Sequence, residues 1–106
     1  MSTALACTLT GDQLIALLRE NEGKLRALGV ISMAMFGSRA RGDNRPDSDL
    51  DLLVDYARDR TFSLLDLAHA QNFTEDLAGC AVQMTTHDGL RESSLQAIQV
   101  QSIKIY

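Results

Sequence analysis

The 106-residue sequence contains no tryptophan and a single proline, and aromatic residues occupy only 5% of its positions. Its uninterrupted apolar runs are short, and none approaches the roughly 20 residues that a membrane-spanning helix needs. Basic residues are outnumbered, because 10 Lys and Arg stand against 14 Asp and Glu, for a net charge of −4. These shortages argue against a membrane protein and against a domain that coats nucleic acid. They favour basic proteins or metal-bridged phosphates as partners.

Cysteine is also scarce, with only Cys7 and Cys80 in the chain. These two residues lie far apart and lack the spacing of a metal site, so we expect reduced thiols in a cytoplasmic protein. The hydrophobic fraction of 45% is that of a globular fold, and 106 residues is the length of one domain. The sequence therefore predicts a single domain over residues 1–106 with a small core.

Helical patterns occur in three parts of the chain. A Thr-x-x-Gln capping box at Thr10 precedes apolar residues at helical spacing, and Gly29 suits a C-terminal cap, which predicts a helix over 11–28. A second helix is predicted over 61–78, with Gly79 ending it and an inner side that consists of Leu64, Leu67, Ala70, Phe73 and Leu77. Asp88 is a candidate cap for a last helix that ends at about residue 98, and the tail 100–106 receives no assignment.

Three apolar runs indicate strands, at residues 30–36 (VISMAMF), 50–56 (LDLLVDY) and 81–86 (AVQMTT). Between the first two lie a short helical segment, SRAR, with Ser38 as N-cap and Gly42 closing it, and the turn cluster DNRPD. Because side chains alternate along a strand, Asp49 and Asp51 face one side of the second strand, opposite to its Leu50, Leu52 and Val54. On the third strand, the same alternation places Gln83 away from the apolar Val82 and Met84.

The paired aspartates and the Gly-Ser step suggest a specific chemistry. Two carboxylates on one face repel each other, and a shared divalent cation such as Mg²⁺ removes that conflict. Gly37 allows a phosphate to approach the backbone, while Ser38 offers a hydroxyl at the start of a helical turn. Arg39 and Arg41 add positive charge, although Arg41 is equally suited to an ion pair with a nearby aspartate. A solvated loop with its own salt bridges is the alternative, but the combined spacing favours a site for a nucleoside triphosphate with magnesium.

The stretch GSRARGDNRPDSDLDLLV, residues 37–54, resembles the signature of the minimal nucleotidyltransferases, small members of the DNA polymerase β superfamily. That signature is Gly-Ser, ten residues and then Asp-x-Asp, and Gly37, Ser38, Asp49 and Asp51 match it without a gap. The resemblance implies an α+β fold with a small mixed β-sheet flanked by helices, formed by one minimal nucleotidyltransferase domain over 1–106. It also implies nucleotide transfer from ATP at a two-metal Mg²⁺ site. The residues implied are Asp49 and Asp51 for catalysis and metal binding, and Gly37, Ser38, Arg39 and Arg41 for nucleotide binding.

The sequence departs from this family at one position. The family carries a third metal-binding aspartate on the third strand, where this chain has Gln83. An amide oxygen is a weak ligand at that third position, because it neither neutralises an ion nor accepts a proton. Losing the carboxylate is expected to reduce the rate of transfer by on the order of a thousandfold.

Three functions follow from the resemblance and from this departure. Family members are frequently paired with a HEPN-type RNase toxin, and some adenylylate a tyrosine of that toxin, which implies an antitoxin that binds Mg-ATP and forms a hetero-oligomer with its toxin. The second function is an antitoxin that neutralises the toxin by binding alone, because Gln83 impairs transfer. The third is a nucleotidyltransferase for small molecules, which is disfavoured because the short chain leaves no second domain for an acceptor pocket.

Overall fold

The computed structural model describes residues 8–59 and 61–106, so the predicted reduced thiol of Cys7 lies outside the described residues. In chain order, the strands are β1 (Val30–Phe36), β2 (Leu50–Tyr56), β3 (Val82–Thr86) and β4 (Ile103–Lys104). The helices are α1 (Gly11–Glu20), α2 (Glu22–Ala27), α3 (Ser38–Arg41), α4 (Leu64–Ala78) and α5 (Glu92–Gln101). In the part of the chain that the structure describes, no helix is both long enough and apolar enough to cross a lipid bilayer.

The strands form one mixed sheet in the order β3-β2-β1-β4. Strand β1 is antiparallel to both β2 and β4, whereas β2 and β3 are parallel. Alternate residues of the central strands are buried against apolar residues of α1, α2 and α4, and together they form the core, which includes Leu14, Leu18, Leu25, Met33, Met35, Leu50, Leu52, Val54, Ala70 and Met84. The predicted α+β fold, with helices flanking a mixed sheet, is confirmed.

The predicted helix over 11–28 is wrong in its continuity, because it is interrupted at Asn21. The side-chain amide of Asn21 donates to the backbone carbonyl of Leu17 at 2.9 Å, a local bond that competes with the regular helical pattern. The start of the segment is as predicted, whereas its end comes one residue early, at Ala27 with Leu28 as the C-cap. The Thr10–Gln13 capping box is formed, and Gly29 follows the last turn with a φ of 105°.

Helix α4 begins later than predicted, at Leu64, where Ser63 and Asp66 form a capping box. Its inner side follows Ala70, Thr74 and Ala78, which are buried. Leu64 is six residues before Ala70 and therefore about 120° away around the helix, at roughly 100° per residue. The predicted inward position of Leu64 is consequently wrong, and its side chain is 85% exposed.

The C-terminal part of the chain differs most from the sequence-based prediction. Asp88 does not cap α5, because it lies in a short 3₁₀ turn (His87–Gly89) and accepts hydrogen bonds from Tyr56 and Arg58. Helix α5 starts at Glu92 and extends to Gln101, beyond the predicted end near residue 98. The unassigned tail forms strand β4, and the guanidinium of Arg19 holds it by donating to the carbonyl of Ile105 at 2.7 Å.

Candidate active site

Gly37 forms the turn at the end of β1, and Asp51 lies directly beside it. The pairing of Phe36 with Asp51 brings the end of β1 next to the start of β2. Gly37 has a φ of 77°, which favours glycine, and it is the N-cap of α3, so the prediction of Ser38 as N-cap is wrong by one residue. A Cβ atom at position 37 would overlap Oδ2 of Asp51 and lie 3.1 Å from its Cγ. The absence of a side chain on Gly37 therefore leaves the space that the Asp51 carboxylate occupies.

The two aspartates of the motif differ in their surroundings. Asp49 is exposed in the residues just before β2, whereas Asp51 is half-buried on the strand. Burial raises the pKa of the Asp51 carboxyl, the negative charge of Asp49 raises it further, and the positive charge of Arg41 acts in the opposite direction. The ionised pair is therefore electrostatically unfavourable, and a cation placed between the two carboxylates would relieve the repulsion.

Gln83 of β3 lies beside Asp51 of the neighbouring strand β2. The two residues are partners in the parallel register of β2 and β3, which places their side chains on the same face of the sheet. Gln83 is exposed, while its neighbours Val82 and Met84 are buried on the other face. The predicted orientation of Gln83 is therefore confirmed, and its role as a metal ligand stays a prediction.

The oxygen atoms of Asp49, Asp51 and Gln83 are of the chemical type that a hard divalent cation binds. Two carboxylates and one amide oxygen are donors of the type that Mg²⁺ takes, usually with few protein ligands and further oxygens from phosphates. Within residues 8–59 and 61–106, no group of three or more His, Cys, Asp or Glu side chains is arranged to hold a metal ion. A metal site here would therefore consist of Asp49 and Asp51, with Gln83 as the neutral third member.

Arg39 has a different environment from the one that its place in the motif suggested. Its side chain is only 4% exposed, and its guanidinium donates to the backbone carbonyls of Ser48 at 2.9 Å and Pro46 at 3.3 Å. These bonds connect α3 to the loop that leads directly into Asp49. This contact could not be predicted from sequence, because an arginine after a Gly-Ser step is equally compatible with binding phosphate.

Arg41, by contrast, is exposed and forms an ion pair with Asp43, with 3.2 Å between Nε and Oδ2. Its charge also reaches Asp51 and partly offsets the rise in the pKa of that carboxyl. The side chain is thus near enough to the aspartate pair to contribute to the electrostatics of the site. Of the two alternatives for this residue, the ion pair is present in the structure, and contact with a substrate stays a prediction.

Comparison with known proteins identifies the family. Residues 14–106 match the nucleotidyltransferase domain. The chain is 30% identical over 91 residues to the protein adenylyltransferase MntA of Thermococcus cleftensis, which covers 85% of this chain and 90% of that protein. It is 39% identical over 61 residues to a candidate protein adenylyltransferase of Methanocaldococcus jannaschii, a match that covers 58% of this chain and 60% of the relative.

Solved structures agree with this match. A candidate minimal nucleotidyltransferase superposes with a TM-score of 0.75 at 36% identity, over 91% of this chain and 96% of that one. A chain in the complex of a tri-AMPylated HEPN toxin with MNT antitoxin from Shewanella oneidensis shares the fold, with a TM-score of 0.61 at 16% identity, over 87% and 71% of the two chains. The resemblance to the minimal nucleotidyltransferases is thereby confirmed, and the chain belongs to the nucleotidyltransferase domain family.

Proposed function

We propose that this protein transfers AMP from ATP to a tyrosine hydroxyl of a HEPN-type toxin and thereby acts as its antitoxin. One observation carries the proposal: the Asp51 carboxylate lies against the Gly37 turn, and the charge of Asp49 is near enough to raise the pKa of the Asp51 carboxyl. This arrangement combines a turn that accepts phosphate with an acidic pair that suits a divalent cation. Relatives named as protein adenylyltransferases support the choice of AMP and of a protein acceptor.

The transfer reaction makes one bond and breaks one bond. The acceptor oxygen attacks the α-phosphorus of ATP, the bond from that phosphorus to the bridging oxygen breaks, and pyrophosphate leaves while the hydroxyl proton is released. Gly37 and Ser38 would position the phosphates at the end of β1, and Asp49 and Asp51 would hold the cation. Bound Mg²⁺ supplies neutralisation of the charge that develops on the phosphate oxygens.

Arg39 contributes to the site by holding the loop that precedes Asp49. Because its guanidinium binds the carbonyls of Pro46 and Ser48, the loop before Asp49 has a defined path from α3 to β2. This places the first aspartate of the pair relative to the second. We therefore assign Arg39 to positioning, and we assign the electrostatic contribution to the exposed Arg41.

A transfer assay with the toxin tests the proposal. The gene product beside this one, if it is a small helical HEPN-type protein, is purified and incubated with this protein, ATP and Mg²⁺, and its mass is followed over time. We expect the addition of one or more AMP groups to the toxin, and no addition with the Asp49→Asn/Asp51→Asn variant. Transfer by that double variant at the wild-type rate would exclude the assigned site.

Gln83 favours a second candidate, an antitoxin that acts by binding alone. It lies in register with Asp51, where the resemblance to the family implies a third carboxylate, and an amide cannot accept the proton that the acceptor releases. In this case the toxin would form a stable complex and lose its RNase activity without any change in mass. Size-exclusion chromatography of the co-expressed pair, combined with the mass measurement, separates the two functions. Separate elution at micromolar concentration would exclude binding alone.

A further inference from the structure

An open cavity of about 190 Å³ lies over the sheet next to the candidate active site, and none of the residues assigned to the proposed function lines it. Ala34 of β1 and Leu53 of β2 form its floor. Its polar lining residues include His87 of the 3₁₀ turn, Gln99 of α5, and Ser102 and Lys104 around β4.

The cavity is on the same face of the sheet as Asp51. Phe36 is paired with Asp51, and Ala34 is paired with Leu53 two residues further along. Because side chains alternate, the second pair projects on the same side as the first. Two residues advance by roughly 6.6 Å along a strand, so the cavity starts one pair of side chains away from the acidic site.

We infer that this cavity holds the adenine base of the ATP whose phosphates lie beside Asp49 and Asp51. The inference rests on the proposed function, and it assigns a second part of the substrate to named residues. Pockets that enclose an entire ligand usually measure roughly 300–1,000 Å³, so a cavity of about 190 Å³ suits one ring system. The phosphates would remain outside it, at the Gly37 turn.

The lining of the cavity has the chemistry that a base requires. Leu53 is 3% exposed and closes the floor, while Ala34 is half-buried, offers an apolar contact for the ring, and leaves the space above it open because its side chain is small. The amide of Gln99 carries one acceptor and two donors, which match N6 and N7 of adenine. The hydroxyl of Ser102 donates to the Gln99 carbonyl at 2.9 Å, so its lone pairs are left to accept a further bond.

Lys104 adds a positive charge to the polar lining. It is paired with Ala34 across β1 and β4, so its side chain projects from the face of the sheet that carries Asp51. Lys104 is exposed on the edge strand, beside the floor residue Ala34. Its charge partly offsets the negative charge that the acidic pair imposes on an approaching nucleotide.

Calorimetry with two ligands tests the inference, because tripolyphosphate has the phosphates of ATP but no base. We expect wild-type protein with Mg²⁺ to bind ATP more tightly than tripolyphosphate. Ala34→Met fills the cavity floor, and we expect it to weaken ATP binding about tenfold or more, which corresponds to about 1.4 kcal/mol, and to leave tripolyphosphate binding unchanged.

A second variant removes the predicted hydrogen bonds without filling space. Gln99→Ala is expected to weaken ATP binding about fivefold, the effect of one neutral hydrogen bond, again without an effect on tripolyphosphate. Gln96→Ala is the matched control, because Gln96 is an exposed glutamine of α5 that does not line the cavity. Its affinity for ATP should equal that of the wild type. If Ala34→Met does not fold, the Gln99 and Gln96 pair decides the question.

The same binding measurements distinguish a wrong location for the base from a wrong phosphate site. If ATP binds no more tightly than tripolyphosphate, or if Ala34→Met and Gln99→Ala bind ATP like the wild type, the base lies elsewhere and the inference is overturned. In that case, binding of tripolyphosphate that is lost in Asp49→Asn/Asp51→Asn still supports the phosphate site. If wild-type protein binds neither ligand, the proposed function fails and this inference fails with it.

Discussion

Asp51 on β2 and Gln83 on β3 are partners in a parallel register, and their side chains project from the same face of the sheet. The pairing puts a neutral amide beside a half-buried carboxylate whose pKa is raised by its burial and by Asp49. A third carboxylate at position 83 would increase the negative charge that attracts a cation, and it would provide an acceptor for a proton. Residue 83 is therefore the position at which one substitution best separates the two candidate functions.

We predict that Gln83→Asp raises the rate of AMP transfer to the toxin. The restored carboxylate should tighten Mg²⁺ binding and accept the hydroxyl proton, with a gain on the order of a thousandfold, or about 4 kcal/mol in the barrier. The measurement is the mass of the toxin over time, for wild type and variant, with ATP and Mg²⁺.

Gln96→Asp is the matched control for this substitution, because it adds the same charge on the exposed side of α5. It should transfer AMP at the wild-type rate. Rapid transfer by the wild type with no gain in Gln83→Asp would show that residue 83 does not limit the chemistry. An absence of transfer by both proteins would favour binding alone.

The second prediction concerns Gly37. Gly37→Ala should lower the free energy of unfolding by about 1–3 kcal/mol, because alanine is strained at this positive φ. The new Cβ would also displace the Asp51 carboxylate, so binding of Mg-ATP should weaken as well. Urea unfolding and calorimetry measure the two effects.

Gly23→Ala provides the comparison for Gly37→Ala. Gly23 lies in α2, and a Cβ there meets no atom within 4 Å. This variant should be more stable than the wild type by about 0.5–1 kcal/mol, since alanine favours the helix, and should bind Mg-ATP normally. Equal behaviour of the two variants would contradict the role of Gly37 in shaping the site.

The third prediction concerns the two arginines of the motif. Arg39→Met keeps the bulk of the buried side chain but removes the donors to the Pro46 and Ser48 carbonyls, so stability should fall by about 1–3 kcal/mol. Mg-ATP affinity should fall too, because Asp49 directly follows the released loop. Arg41→Met removes an exposed ion pair with Asp43, and its effect on stability should stay below about 1 kcal/mol. A stable Arg39→Met variant with normal affinity would exclude the positioning role.

The fourth prediction concerns the dependence of stability on pH. The folded protein raises the pKa of Asp51 above its ordinary value of 3.8, so it holds this proton more tightly than the unfolded chain does. The free energy of unfolding therefore includes a favourable contribution below pH 3.8 that is lost as the pH rises through the raised pKa. Asp51→Asn should consequently be more stable than the wild type at pH 7.

Urea unfolding between pH 3 and pH 7 measures this difference, and it should shrink towards the acidic end. Asp47→Asn is the control, because Asp47 is exposed in the loop before the site and should give similar stability to the wild type throughout. Saturating Mg²⁺ should stabilise the wild type more than Asp51→Asn. A loss of stability in Asp51→Asn at pH 7 without metal would contradict the unfavourable charge at this position.

The local features that the sequence determined are those whose physical cause lies within a few residues. Capping at Thr10 and Gln13 depends on backbone groups in the first helical turn, and the prediction was confirmed. Alternation along β2 and β3 depends only on strand geometry, so the faces of Asp51 and Gln83 were also predictable. The Gly-Ser and Asp-x-Asp spacing was sufficient to indicate the family.

Tertiary structure decided the features that depend on residues distant in the chain. The direction of the Arg39 side chain depends on where the loop carbonyls of Pro46 and Ser48 lie in the fold. Asp88 does not cap a helix, because it pairs with Arg58, which is 30 residues earlier in the chain. The tail became strand β4 because β1 offers it an unpaired edge and Arg19 binds its carbonyls. Such contacts depend on the packing of the whole chain, whereas helix caps and strand alternation depend on residues close together in sequence. Features of the second kind were therefore determined by the sequence, and features of the first kind were decided by the tertiary structure.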